Sequence, residues 1–327
     1  MQAIVLVGGA GTRLRPLTES IPKPALTLVD RPFLAYMIEW LASHGVTEVI
    51  LACGFLPDVL REALAGEEER AGVTIRYVAE PEPLGTAGAI RFAADELGDE
   101  LDDRFLALNG DVLTDLDLSA LLRVHGESGA AATIGLHPVE DSSAFGLVHS
   151  GEGGEVLEFL EKTGERHPGE VNAGMYVLER PVLDLIAPGE NVSIERDVFP
   201  RLVGNGLHGL LLDGYWVDIG TPERYLQASW DILEGRVATR VEPTGPGVSI
   251  DPSAEVDGDA TVGPRAVVGP ACQVEAGAEV LESVLLDGCT VGESARVVGS
   301  ILSRGATVPS GAVVDGAVAA EGEMIDS

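Results

Sequence analysis

The sequence predicts an α/β domain on a mixed, mostly parallel sheet, followed by a solenoid of very short strands. Three observations carry this reading. Through residues 1–235, short aliphatic runs alternate with amphipathic helical patterns. A Pro- and Gly-rich stretch, "RVATRVEPTGPGVS", then breaks the pattern and reads as a linker, residues 236–247. From 248 to 327 an aliphatic residue recurs at a fixed short step.

The first domain opens on "QAIVLV", continues through "TEVILA" and "VTIRYV", and reaches "RFLALNGD". These runs are β-branched or aliphatic and suit strands buried on both faces. Helical patterns lie between them. In "RPFLAYMIEWLASHG", Leu34, Met37, Ile38 and Leu41 recur at i, i+3, i+4 and i+7, and Gly45 ends the run. "PDVLREALAG" and "TAGAIRFAADELG" behave alike. Such alternation implies a Rossmann-like sheet with helices on both faces. After about residue 130 the text becomes strand-rich, with "AAATIGLHPV", "FGLVHS", "VLEFLEK" and "VNAGMYVLE". "TPERYLQASWDILEG" reads as a closing helix capped by Thr221, with Pro222 in its first turn.

In the last segment, Ile250, Val256, Val262, Val268, Val274 and Val280 stand six residues apart. After a one-residue slip, Leu285, Val291 and Val297 keep the step, and a second slip gives Leu302, Val308 and Val314. A six-residue period is no helix face. It fits coils of three short strands around a narrow aliphatic core, about four coils in all. The run resembles the hexapeptide-repeat family, the left-handed parallel β-helix.

The chain carries 53 acidic and 21 basic residues, a net charge of −32. That sign opposes nucleic acid and anionic membrane as partners. A site for an anionic substrate must bring its own positive charge or a metal. Only Lys23 and Lys162 are lysines; the other 19 basic residues are arginines. The three cysteines, Cys53, Cys272 and Cys289, lack CxxC spacing and read as free thiols in a reducing, cytoplasmic compartment. "AIVLV" is too short for a signal peptide's apolar region and reads as the first buried strand.

"LVGGAGTRLRPLT" leads a buried strand into a Gly-rich turn and two arginines. Gly8, Gly9 and Gly11 let backbone N–H groups approach a phosphate, with Thr12 beside them, and Arg13 can fork onto phosphate oxygens. The spacing is neither a Walker loop nor a dinucleotide GxGxxG. Asp111 follows a buried strand at what should be the sheet's carboxyl edge, where open α/β sheets bind ligands. Taken singly, Asp111 and Asp218 would read as turn residues or caps, and "EK" at 161–162 as a solvated ion pair.

"GGAGTRLRPLT" followed by "PKP" resembles the signature of the sugar-1-phosphate nucleotidylyltransferases. "PLGTAGA" (83–89), "NGD" (109–111), "FGLV" (145–148), "EK", "NAGMYV" (172–177) and "WVDIGTP" (216–222) match that family in order, so the resemblance spans the chain. It implies attack of a sugar 1-phosphate oxygen on the α-phosphorus of a nucleoside triphosphate, with release of pyrophosphate. It implies Arg13 and Lys23 as catalytic groups on the triphosphate, with Arg15 either joining them or shaping the loop through a salt bridge. Leu6, Glu82, Pro83, Gly85, Thr86 and Ala87 are expected around base and ribose; the alternative is a turn in which Thr86 caps the next helix. Gly146, Glu161, Lys162 and Asn172 are expected at the sugar phosphate. Asp111 and Asp218 are expected to share one Mg²⁺, a hard cation suited to carboxylates and phosphates.

"EPLGTAG", "SIERDVFPRLV" and "EVNAGMYVL" are most similar to the mannose-1-phosphate guanylyltransferase branch, which implies GTP and mannose 1-phosphate. Glucose- or heptose-1-phosphate enzymes using dTTP, UTP, ATP or GTP are the alternatives. Acyl transfer, the usual chemistry of hexapeptide domains, would need a histidine there, and none follows His208. A non-catalytic sensor would be expected to lose some of Arg13, Lys23, Asp111, Lys162 and Asp218, and all are present. The β-helix is expected to support a homo-oligomer.

Overall fold

Both periodicities read from the sequence become sheets in the computed structural model, which describes every residue except Ala10, Phe55, Thr163, Asp326 and Ser327. The chain divides into two units: Met1–Gly9 with Met37–Trp216, and Ala10–Tyr36 with Val217–Ser327.

The first unit is built on a mixed sheet. The strands Thr74–Ala79, Glu48–Cys53, Gln2–Leu6 and Arg104–Asn109 lie side by side in parallel. Gly169–Glu179 then runs antiparallel to Arg104–Asn109 and pairs on its other edge with Ala132–Val139. Leu147–Ser150 and Val156–Leu160 extend the antiparallel half, and Leu207–Leu211 adds a parallel edge to Ala132–Val139. Gln2–Leu6, Glu48–Cys53 and Arg104–Asn109 are buried along most of their length because helices cover their faces, whereas the edge strand Thr74–Ala79 exposes Thr74 and Arg76. Ile4, Ile50, Phe105 and Ala107 share one core with Ala87, Ile90, Ala93 and Leu97 of the helix Gly85–Leu97. The helix Phe33–Ser43 buries Leu34, Met37, Ile38 and Leu41, the four residues its periodicity singled out.

The second unit holds three parallel ladders. Val256, Val274, Val291 and Val308 stack in register, as do Val262, Val280, Val297 and Val314. Ile250, Val268, Leu285, Leu302 and Ala319 form the third ladder. This is the parallel architecture expected of a left-handed β-helix. Each one-residue slip in the sequence shortens a coil without moving its aliphatic residue from the core, because the corner absorbs the change. The closing helix Pro222–Leu233 is capped as expected: the Thr221 hydroxyl accepts the Arg224 N–H at 3.4 Å. The three cysteines are free and buried.

Candidate active site

In the first unit, the expected residues Leu6, Gly8, Gly9 and Asp111 lie at the carboxyl ends of the parallel strands Gln2–Leu6 and Arg104–Asn109. The Val7 N–H donates to the Ala52 carbonyl at 3.0 Å, and the Gly110 N–H donates to the Leu6 carbonyl at 2.9 Å. These bonds continue the ladder one step past the strands and place Gly110, the residue before Asp111, beside Leu6 and Val7. Position 110 must be glycine here, because a side chain would meet Val7 Cγ1 at 2.6 Å and the Leu6 carbonyl at 2.7 Å. Gly9 faces open space, with nothing within 4 Å of where a side chain would begin, so a ligand can approach its backbone.

Glu80 was not among the residues expected from the sequence. Its carboxylate lies 3.0 Å from the Cβ position of Gly8 and accepts the Leu84 N–H at 3.2 Å. Partial burial raises its pKa, and the bond from Leu84 opposes that shift. Glu82 and Pro83 are exposed, Gly85 is half-buried and Ala87 is fully buried. Thr86 does not cap its helix: its hydroxyl donates to Glu195 at 2.8 Å and accepts the Ile194 N–H at 2.8 Å. The Ala87 N–H donates to the Val192 carbonyl, so this turn is fastened to the 192–195 segment.

The expected sugar-phosphate residues cluster around a break in the sheet. Between Asn172 and Tyr176 the strand Gly169–Glu179 slips register against Ala132–Val139, a bulge that re-aims side chains. The Asn172 N–H donates to the Gly146 carbonyl at 2.8 Å. Its side chain donates to the Tyr176 hydroxyl at 2.9 Å and accepts the Gly174 N–H at 2.9 Å. One amide hydrogen and one lone pair remain for a ligand. A side chain at Gly146 would meet the Phe159 ring at 3.0 Å and the Glu161 carboxylate at 3.1 Å. Lys162 holds the left-handed φ of 38°, with its ammonium 3.5 Å from Glu161 and 60% of the side chain exposed.

Tyr176 joins these groups. It is fully buried, and burial pushes its pKa up, with Glu195 next and Glu161 and Asp111 contributing, against the hydrogen bond from Asn172. Trp216 closes another side: its indole N–H donates to the Ala173 carbonyl at 2.9 Å, and its ring packs edge-on against Phe145 with centroids 5.2 Å apart.

In the second unit the signature loop folds back on itself. Gly11 takes a left-handed φ of 58°, and a side chain there would meet Thr18 at 3.1 Å and Lys23 at 3.2 Å. The Thr18 hydroxyl donates to the Gly11 carbonyl at 2.8 Å. Thr12 and Arg13 are exposed on a single helical turn, Thr12–Leu14. The Arg13 guanidinium lies against Gly220, where a Cβ would be 2.9 Å from its Nη2. Lys23 is buried, and its ammonium is 3.8 Å from Asp218. Arg224 approaches the same carboxylate at 3.4 Å. Arg15 is exposed.

The donor chemistry fits a hard divalent cation. Asp111 in the first unit and Asp218 in the second are each hard oxygen donors, and the cations around Asp218 within the second unit are of the kind phosphates recruit. No group of three or more His, Cys, Asp or Glu residues poised for a metal occurs among the described residues. Magnesium sites completed by substrate phosphates and water need only one or two carboxylates.

Glu80, Tyr176, Trp216 and Arg224 escaped the sequence reading. Glu80 stands two residues before Glu82, so adjacency was the only signal for it. Tyr176 lay within "NAGMYV" but looked like an ordinary strand residue, because only the bulge brings its hydroxyl back to Asn172.

Residues 2–235 match the nucleotidyl transferase family and residues 244–326 match the GMPPB C-terminal domain. The chain is 43% identical over 238 residues to the mannose-1-phosphate guanylyltransferase of Mycobacterium tuberculosis, covering 72% of this chain and 65% of that protein. It therefore spans just under two thirds of that relative's length. It is 41% identical over 298 residues to a mannose-1-phosphate guanyltransferase of Debaryomyces hansenii, covering 88% of this chain and 81% of that protein. The crystal structure of HddC from Yersinia pseudotuberculosis superposes with a TM-score of 0.61 at 27% identity, covering 71% of this chain and 99% of that one. The same protein complexed with GMP-PN gives 0.60 at 27% identity, with the same coverage of both chains. A match over most of its length places the chain in the nucleotidyl transferase family, whose members generally use a divalent metal.

Proposed function

We propose that this protein transfers a guanylyl group from GTP to mannose 1-phosphate, forming GDP-mannose and pyrophosphate. The observation that carries the reading is the cluster in the second unit: Lys23 and Arg224 flank Asp218, and Arg13 lies against Gly220. In a chain of net charge −32, such a gathering of cations around one carboxylate suits a phosphate chain and its counter-cation.

The chemistry is one in-line displacement. An oxygen of the sugar phosphate bonds to the α-phosphorus of GTP while the bond to the bridging oxygen breaks and pyrophosphate leaves with that electron pair. No covalent intermediate on the protein is needed, so positioning and charge do the catalysis. Arg13 and Lys23 neutralise the triphosphate and the leaving pyrophosphate. Lys162 meets the sugar phosphate, Glu161 accepts from sugar hydroxyls, and Asn172 offers its remaining donor and acceptor. Asp111 and Asp218 would hold Mg²⁺, which when bound offsets phosphate charge.

Glu80 supports guanine over other bases. A carboxylate accepts two parallel N–H bonds, and guanine presents two adjacent donors on one edge. Names of relatives support the sugar assignment. The cytoplasm as the working compartment and self-association through the β-helix complete the reading. No helix among the described residues is long and apolar enough to cross a membrane.

The test is a pyrophosphate-release screen of all common nucleoside triphosphates against several hexose 1-phosphates, with Mg²⁺. GTP with mannose 1-phosphate should give the highest kcat/KM. Release with another pair alone would transfer the assignment to that pair, and no release with any pair would favour a sensor.

A further inference from the structure

The segment that carries Lys23 is held from two sides within the second unit. On its inner side, Gly11, Thr18 and Lys23 pack together, and the Thr18 hydroxyl is bonded to the Gly11 carbonyl. A shift of residues 16–21 is therefore passed to the Gly-rich turn and to Lys23.

Its outer side leans on the last coils of the β-helix. The Ser20 hydroxyl donates to the Glu321 carboxylate at 2.7 Å, across 301 residues of sequence. Arg304 lies 3.9 Å from the same Glu321. Leu17 and Leu26 face Leu286 and Ser303 across a cleft of about 30 Å³. That volume holds about one water molecule, so the cleft is a seam rather than a ligand pocket. The Tyr225 hydroxyl donates to the Thr27 carbonyl and anchors the far end of the segment.

We propose that the β-helix is part of the catalytic machinery at one remove, with Glu321 as a positioning residue that holds the Lys23 segment through Ser20. The β-helix then serves more than assembly: its final coils set the placement of a phosphate-binding lysine. The inference rests on Lys23 meeting phosphate, as proposed above.

Four variants test it in the full-length protein: Glu321→Ala, Glu321→Gln, Ser20→Ala and the Ser20→Ala/Glu321→Ala pair. An exposed hydrogen bond of this kind translates into a roughly three- to tenfold fall in kcat. That fall should appear in Glu321→Ala and Ser20→Ala, with KM for the hexose 1-phosphate unchanged and the thermal midpoint lowered by no more than about a few degrees. The pair should be no worse than either single change, because both remove one interaction. Glu321→Gln, which still accepts from Ser20 but loses the charge facing Arg304, should recover parental kcat. Parental kcat in Glu321→Ala, losses that multiply in the pair, or failure of Glu321→Gln to recover would each overturn the inference. Lys23→Ala is run beside them. Full activity there overturns the phosphate reading and the inference together, whereas an inactive Lys23→Ala beside an unimpaired Glu321→Ala overturns the inference alone.

Discussion

Adding one methyl group at Gly220 should slow the reaction while leaving the fold intact. A Cβ at this position would stand 2.9 Å from Arg13 Nη2 and 3.1 Å from its Cζ and Nη1. Ordinary contact begins at 3.4 Å, so the guanidinium must retreat. The required shift is about 0.5 Å, and misplacing a reacting group by about 1 Å can cost roughly a hundredfold. A loss of about tenfold in kcat follows for Gly220→Ala on that scale. Stability should change by less than about 0.5 kcal/mol, because the obstructing atoms are the far end of an exposed, flexible side chain. No left-handed φ at Gly220 adds a backbone penalty. The assay is steady-state pyrophosphate release, paired with urea denaturation of the same preparation. Arg13→Ala provides the reference, and adding Gly220→Ala to it should cause no further loss. Parental kcat in Gly220→Ala, or a further tenfold loss on top of Arg13→Ala, would refute the placement of Arg13 at the reacting phosphates.

Lys162→Ala should raise KM for the hexose 1-phosphate by about ten- to a hundredfold with KM for GTP unchanged, the size expected for one charge-assisted contact; alanine inherits the same left-handed backbone, so strain is matched. Asp111→Asn should lower turnover with Mg²⁺ by at least about a hundredfold, and excess metal should not restore it if a ligand charge has been removed. Glu80→Gln should narrow the preference for GTP over ATP by roughly ten- to a hundredfold, measured as a ratio of kcat/KM values. His125, buried with its ring nitrogens 2.8 Å from Thr133 and 3.0 Å from Glu179, should make stability pH-dependent. Burial lowers its pKa despite the pull of Glu179, so the folded protein takes up this proton less readily than the unfolded chain. Its stabilising share is complete above the unfolded value of about 6.5 and is lost as pH falls below it; urea titrations from pH 8 to 5 should show that slope, reduced in His125→Gln.

Periodicity determined much of this protein from the sequence alone. The six-residue step specified the β-helix, because only coils of very short strands can bury every sixth residue in one narrow core. Alternation of aliphatic runs with helical stripes specified the parallel half of the sheet for the same reason: both faces are covered. The order of the motifs identified the family. The sequence assigned the two lysines to two different phosphates but said nothing of their surroundings, which differ. Lys23 is buried beside Asp218, and Lys162 stands exposed beside Glu161 on a left-handed residue. Burial and backbone handedness at single positions depend on what packs against them, which no local pattern encodes. Tertiary structure alone also decided the company each motif keeps. Glu80 reaches Gly8 across the end of the intervening strand Glu48–Cys53, and Tyr176 reaches Asn172 because a bulge removes residues from the register. Ser20 meets Glu321 because the signature loop folds onto coils formed three hundred residues later. Such contacts arise from strand order and chain return, so they are fixed only when the whole chain has folded.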